Sequence, residues 1–306
     1  MTMEYTVLLQ QILILFAIAA CGFIAFKRGI VSEAANRSIS KIVLYITLPA
    51  MILASVADVP GDFTAGDILF LLFLSFLSYA LLGIIAFLTP RLIRGEKKDY
   101  GVYEFLTMFG NVGFMGFPVL TAVFGSQAVF LAAIFNLPMN LLSFTVGVLM
   151  LAPKGTRLRA GELFTPAVVA SVLAPLLFLA PFTVPDIVYD GFFLLGGATV
   201  PLAMMMIGSS IARLPFKEIW NQGRIYAVSA VKLLVCPMVI WLAFKGFVKD
   251  PMILGTAVIL AAMPSATNTT LLCIEYGGNE TLASRSVCVS TLLSAVTIPL
   301  ILFLLF

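Results

Sequence analysis

Two stretches of this chain place glycine, proline and asparagine inside otherwise apolar sequence. The first is Phe109-Gly110-Asn111-Val112-Gly113-Phe114-Met115-Gly116-Phe117-Pro118, and the second is Met263-Pro264-Ser265-Ala266-Thr267-Asn268-Thr269-Thr270. Proline removes a backbone donor and clashes with the preceding turn, and glycine weakens a helix interior by about 1 kcal/mol relative to alanine. A continuous helix through either stretch is therefore not expected. Each break exposes a helix N-terminus, with roughly half a positive charge and free N–H groups, which suits a carboxylate. Asn111 and Asn268 can add side-chain hydrogen bonds, and Ser265, Thr267 and Thr269 can cap or contact a ligand. With Gly113, Gly116, Pro118 and Pro264 they form the candidate substrate-binding set. The competing explanation is a pair of proline kinks used only for packing.

Other polar residues in apolar surroundings are candidates for substrate or ion contact. Lys232 could neutralise an anion, pair with Glu104, or snorkel along its own stem towards the surface. Glu104 lies seven residues before Asn111, on the same helix face; being shallow, it reads as a solvated entrance charge ahead of a proton carrier. Asn136, Asn140 and Ser143 form one stripe, and Ser286, Ser290 and Ser294 another; interhelical hydrogen bonding explains both as well as ligand binding does. Pro49 and Pro201 complete the candidates. No catalytic residue and no metal ligand is assigned.

The elements that must position these residues follow from composition. Of 306 residues, 61% are apolar and 11% charged, a balance that fits lipid as the solvent. A span needs about 20 apolar residues, and ten such runs can be drawn, near 6–26, 40–57, 67–90, 101–124, 127–151, 164–181, 187–211, 224–247, 252–274 and 281–306. Long continuous runs such as Ile68–Leu77 and Leu292–Phe306 predict helices rather than alternating barrel strands. The first ten residues carry Glu4 and no Lys or Arg, unlike the basic start of a cleavable signal. Cys21, Cys236, Cys273 and Cys288 form no C-x-x-C pair and read as buried thiols. The absence of histidine rules out His-based triads, HExxH metal chemistry and haem ligation by His.

With both termini outside the cytoplasm, alternate loops hold 15 of the 18 basic residues, as cytoplasmic loops do. Those loops carry Lys27, Arg28, Arg37 and Lys41; Arg91, Arg94, Lys97 and Lys98; Lys154, Arg157 and Arg159; Arg213, Lys217 and Arg224; and Arg285. The outer loops keep Lys245 and Lys249 and collect Asp58, Asp62, Asp67, Asp186 and Asp190. Sliding the chain by 152 residues sets Thr47-Leu48-Pro49 on Thr199-Val200-Pro201 and Phe124-Gly125 on Tyr276-Gly277. The same offset sets Asn111 on Met263 and Gly116 on Asn268. Five spans per half is an odd number, so the second repeat is inverted, as in many secondary transporters. The expected fold is thus an all-α integral membrane protein of ten transmembrane helices. Its five-helix repeats are 1–151 and 163–306, joined by a short cytoplasmic linker, 152–162.

The Gly110–Pro118 motif resembles the signature of the auxin efflux carrier family, which contains plant PIN carriers and bacterial carriers for malate and malonate. Leu48-Pro49-Ala50, Pro201-Leu202-Ala203 through Gly208, and Ala262-Met263-Pro264 are similar to that family too, and the likeness covers essentially the whole chain. The resemblance implies a fold of the bile acid:sodium symporter type with broken, crossing helices 4 and 9. It implies a scaffold of spans 1, 2, 6 and 7 and a transport domain of spans 3–5 and 8–10 that moves like an elevator. Substrate would sit at the crossover, where Asn111, Pro118, Pro264 and Asn268 fall. The short 152–162 segment departs from the long cytoplasmic loop of the plant members and looks bacterial.

The expected function is secondary transport of a small organic anion, a mono- or dicarboxylate such as malate or malonate or an auxin-like acid, across the cell membrane. No cofactor is expected, and coupling to Na⁺ or H⁺ stays open. Expected partners are the anion, the lipid bilayer and a second copy through the scaffold helices, and no nucleic acid. Two rivals stand beside it: an intramembrane hydrolase pairing a serine with Lys232, and a channel or sensor.

Overall fold

The computed structural model describes residues 5–59, 63–152, 164–180, 184–213 and 222–305. Glu4, Asp62, Lys154, Arg157, Arg159, Lys217 and the linker beyond Ala152 lie outside the described residues. In chain order the helices are α1 (Tyr5–Lys27), α2 (Glu33–Asp58), α3 (Ala65–Leu92), α4 (Tyr100–Met108), α5 (Phe117–Phe124) and α6 (Gln127–Leu151). They continue as α7 (Pro166–Leu179), α8 (Asp186–Ala212), α9 (Gly223–Phe244), α10 (Pro251–Ala262), α11 (Asn268–Tyr276) and α12 (Glu280–Leu305). Among the described residues there is no strand, only one isolated antiparallel bridge between Gly110 and Ser265. Helices α2, α3, α6, α8, α9 and α12 are each long and apolar enough to cross a membrane. Shorter apolar helices cover Leu13–Lys27, Val112–Phe124, Pro166–Leu179 and Pro251–Ala262. With apolar side chains such as Ile187 and Leu194 about four-fifths exposed, the chain is a multi-pass α-helical membrane protein.

The observed helix ends fall within a few residues of the expected spans, with one larger difference. The second helix starts at Glu33 rather than near residue 40. Its first ten residues are amphipathic rather than apolar, and Ser32 caps them by accepting from the Ala35 N–H at 3.2 Å. Apolar content marks where lipid begins, not where helix begins.

Proline also shapes the helices locally, without breaking them at the proline itself. Of the four five-residue π turns among the described residues, those at Val43–Thr47, Val112–Gly116 and Val231–Val235 end two residues before a proline, Pro49, Pro118 and Pro237, whereas Ser143–Gly147 does not. The carbonyl that each proline ring would strike, four residues back, belongs to Tyr45, Phe114 or Leu233, the central residue of its π turn. Widening the turn relieves that clash and keeps the helix running.

The chain separates into two compact units. The first comprises residues 1–73, 113–137 and 164–213. In it α1 lies against the second half of α8 with no room for side chains at the contact. A methyl group on Gly22 would stand 2.0 Å from the Met205 carbonyl oxygen, and one on Gly208 would stand 1.7 Å from that of Ala19. Ser209 donates to the Gly22 carbonyl at 3.3 Å across the same contact, the small-residue packing that membrane helices use. Phe63, Phe130 and Phe178 form a three-ring cluster with centroids 5.6–5.9 Å apart.

The second unit comprises residues 74–112, 138–163 and 214–306. Helix α4 meets the end of α6 at Gly101, where a methyl would fall 1.7 Å from the Met150 carbonyl oxygen. Gly147 leaves space for the rings of Phe105 and Phe109, whose centroids are 4.6 Å apart. The division passes through α3, between Val112 and Gly113, and through α6.

Candidate functional site

Both anomalous stretches are broken. Helix α4 stops at Met108, and Phe109 is extended, with φ −102° and ψ 128°. Helix α10 stops at Ala262, and Met263 is extended, with φ −63° and ψ 143°. The two extended segments solve each other's hydrogen-bonding problem inside the second unit. The Asn111 N–H donates to the Pro264 carbonyl at 2.7 Å, and the Ala266 N–H donates to the Phe109 carbonyl at 3.1 Å. Pro264, which can donate nothing, thus serves as an acceptor only.

Side chains finish the accounting. Once Gly110 leaves the helix, the Leu106 carbonyl loses its ordinary donor four residues on, and the Ser265 hydroxyl replaces it at 2.8 Å. The Ser265 N–H donates to the Ser290 hydroxyl at 3.2 Å, which gives the serine stripe of α12 a definite role at its middle member. Thr269 closes the start of α11 by donating through its hydroxyl to the Ala266 carbonyl at 2.6 Å. Ser265, Thr269 and Ser290 are fully buried and Asn111 nearly so, while Thr267 and Asn268 are half-buried. The Oδ1 of Asn268 is enclosed without a hydrogen-bond partner.

Lys232 belongs to this same crossing. It sits in the π turn of α9, 1% exposed. A methyl built on Gly110 would lie 3.5 Å from its Nζ, 3.3 Å from the Leu260 carbonyl oxygen and 3.2 Å from the Met263 Cβ. Snorkelling is thereby ruled out: the stem runs to the broken backbone, not to a surface. Nor does Lys232 pair with Glu104. That carboxylate faces Arg91 at 3.2 Å, so Glu104 belongs to an ion pair at the end of α3.

The remaining candidates are spread differently. Asn140 lies in the second unit, where its carbonyl accepts from the Ser143 hydroxyl at 3.1 Å. Pro49, Gly113, Gly116, Pro118, Asn136 and Pro201 lie in the first. There Gly113 faces the side chains of Leu44 and Leu48, Gly116 and Pro118 are buried, Pro49 is half-buried and Pro201 is exposed.

Sequence reasoning missed a polar cluster elsewhere in the second unit. Asp99, only 8% exposed, accepts from the Asn279 side chain at 3.0 Å. Asn279 in turn caps α12 through the Leu282 N–H at 3.1 Å. A cavity of about 490 Å³ opens between Glu96, Asp99, Tyr103, Arg224, Asn279 and Arg285. Lys98 at 3.0 Å, and then Arg224 at 3.4 Å, hold the Glu96 carboxyl below the ordinary carboxylate range. The available signal was the Gly277-Gly278-Asn279 run before an apolar helix, a capping pattern.

Comparison with known proteins agrees with this architecture. The sequence model of a family described as "membrane transport protein" matches residues 7–165 and 159–302. A protein of Rhizobium meliloti (strain 1021) named "putative malonate transporter" is 28% identical, over 86% of this chain and 84% of its own length. An "uncharacterized transporter" of Methanothermobacter thermautotrophicus is 27% identical over 95% of this chain and 96% of its own. One from Escherichia coli (strain K12) is 22% identical over 96% of both. The chain therefore belongs to the membrane transport protein family, the auxin efflux carrier-like group whose signature the Gly110–Pro118 stretch resembles.

Proposed function

We propose that this membrane transporter is a secondary carrier of small organic anions, mono- or dicarboxylates, that binds its substrate where the α4–α5 and α10–α11 breaks cross. The observation that carries the reading is the Gly110–Ser265 bridge with the Lys232 ammonium against it. Unwound backbone at mid-span, flanked by half-helix ends, is how transporters build midplane sites. Asn111 and Asn268 supply side-chain amides there, Ser265 and Thr269 hold the loop, and Pro264 and Thr267 shape it. The malonate in the name of the Rhizobium relative points to the same substrate class.

The finer architecture belongs to this reading. It comprises ten spans in two inverted repeats, both termini outside the cytoplasm, a scaffold of spans 1, 2, 6 and 7 that also pairs two copies, and a transport domain of spans 3–5 and 8–10 that moves as an elevator. The contact grouping joins α1, α2, α7 and α8, and separately α9 to α12, but it also sets α5 and the first part of α6 with the former group, where the scheme has them in the transport domain.

The test is uptake and exchange of a panel of labelled carboxylates, malonate and malate among them, by purified protein in liposomes. Saturable counterflow is expected for at least one, and loss of about tenfold or more on Asn111→Ala and on Asn268→Ala. Full transport by both variants would remove the crossing as the site; leak without counterflow would favour a channel.

A further inference from the structure

Lys232 carries an inference about what accompanies the anion, which rests on the organic-anion reading above. Three observations converge on one point beside Gly110. Lys232 is 1% exposed, and its Nζ lies 3.5 Å from the place a Gly110 methyl would occupy. The Leu260 carbonyl oxygen, in the last turn of α10, lies 3.3 Å from that place. A half-helix C-terminus bears a negative partial charge, and such carbonyl ends are where transporters lodge a coupling cation.

Among the described residues no carboxylate forms an ion pair with Lys232. The ionisable side chains on the neighbouring elements have other engagements or do not bear on it. Of those on α4, Glu104 faces Arg91 and Tyr103 lines the Asp99 cavity. On α12 they are Glu280, Arg285 and Cys288, and on α10 there are none. On α9 itself, Arg224 pairs with Glu96, Tyr226 lies six residues back, and the Cys236 thiol, one helical turn on, donates to the Thr107 carbonyl. A cation held at such depth without an acid costs several kcal/mol unless something compensates it. The negative partial charge at the C-terminal end of α10 is placed to offset part of that cost, which leaves the rest to an anion in the crossing.

We propose that the Lys232 ammonium is a tethered substitute for a coupling cation: it occupies the electronegative end of α10 in place of Na⁺ and serves as the fixed counter-charge of the carboxylate. Anion exchange by the wild-type protein is then independent of sodium, and removing the ammonium returns the position to a soluble cation.

The experiment reconstitutes wild type, Lys232→Met and Lys232→Arg in liposomes and follows exchange of labelled malonate in sodium chloride and in choline chloride. Wild type should exchange within about twofold in the two salts; Lys232→Met should lose about tenfold or more in choline and regain at least about threefold in sodium; Lys232→Arg should stay within about fivefold of wild type in both. Should Lys232→Met not elute as a single species, Lys232→Gln carries the same test. A wild type that needs sodium overturns the inference, as does an uncharged variant that exchanges like wild type in choline. So does a folded uncharged variant that is inert in both salts, which would leave Lys232 a substrate contact alone. A wild type that exchanges no carboxylate fails earlier, at the organic-anion reading, and takes this inference with it.

Discussion

Ser265 and Leu106 are 159 residues apart in sequence, yet the hydroxyl of one donates to the carbonyl of the other at 2.8 Å, fully buried. The bond exists because Gly110 leaves α4 and strands that carbonyl. Ser265→Ala should orphan it again, at a cost of about 1–3 kcal/mol for an unsatisfied buried acceptor. Thermal unfolding of the purified protein should show a Tm lower by several degrees, and an unchanged Tm would mean that the carbonyl finds another donor.

Gly208 offers a harsher test in the other unit. A methyl there would sit 1.7 Å from the Ala19 carbonyl oxygen and 2.9 Å from the Phe23 nitrogen, both backbone atoms. Overpacking usually costs about 1–3 kcal/mol where side chains can yield, and here none can, so Gly208→Ala should exceed that range. Gly191→Ala, with nothing within 4 Å of the added carbon, should be neutral or stabilising by up to about 1 kcal/mol. Comparing monodisperse yield and Tm of the two variants checks the contrast.

The breaks were legible because lipid leaves few reasons to place Gly, Pro and Asn together. What touches what was not. The offset of 152 sets Asn111 against Met263, whereas Asn111 bonds Pro264 and Gly110 faces Ser265. An offset relates equivalent positions in two repeats, while contact across an antiparallel crossing runs in opposite directions along the two strands, so the one cannot yield the other. The environment of Lys232 was equally hidden. Its depth could be counted, but the direction of its stem depends on the π turn before Pro237. The polar start of α2 and the Asp99–Asn279 pair escaped because apolar runs were the guide, and neither is apolar.

Glu96 gives a pH prediction outside the membrane. Lys98 and Arg224 depress its folded-state pKa, so its contribution is present above the unfolded carboxylate value and is lost as pH falls through the lowered folded value. Glu96→Gln should therefore lower Tm slightly at neutral pH, and the difference from wild type should vanish on acidification through the carboxylate range. Because these groups are exposed, the neutral-pH difference should also shrink in high salt. Parallel melts across pH and salt decide it; a difference that persists in acid would assign Glu96 a role other than charge.

Gly110 is where packing and the proposed transport site meet. Unlike Gly208, its methyl would meet groups at 3.2–3.5 Å, a crowding that small shifts can relieve, so Gly110→Ala should fold. What must shift, however, are the Met263 side chain, the Leu260 carbonyl and the Lys232 ammonium, all at the crossing. The cost should therefore appear in transport rather than in stability: carboxylate exchange lowered about tenfold or more, with Tm within a few degrees of wild type. Counterflow assays and melts on the same preparation separate the two. Normal exchange by a normally stable Gly110→Ala protein would mean that the anion does not use this crossing; a collapse of Tm would make Gly110 a packing residue first.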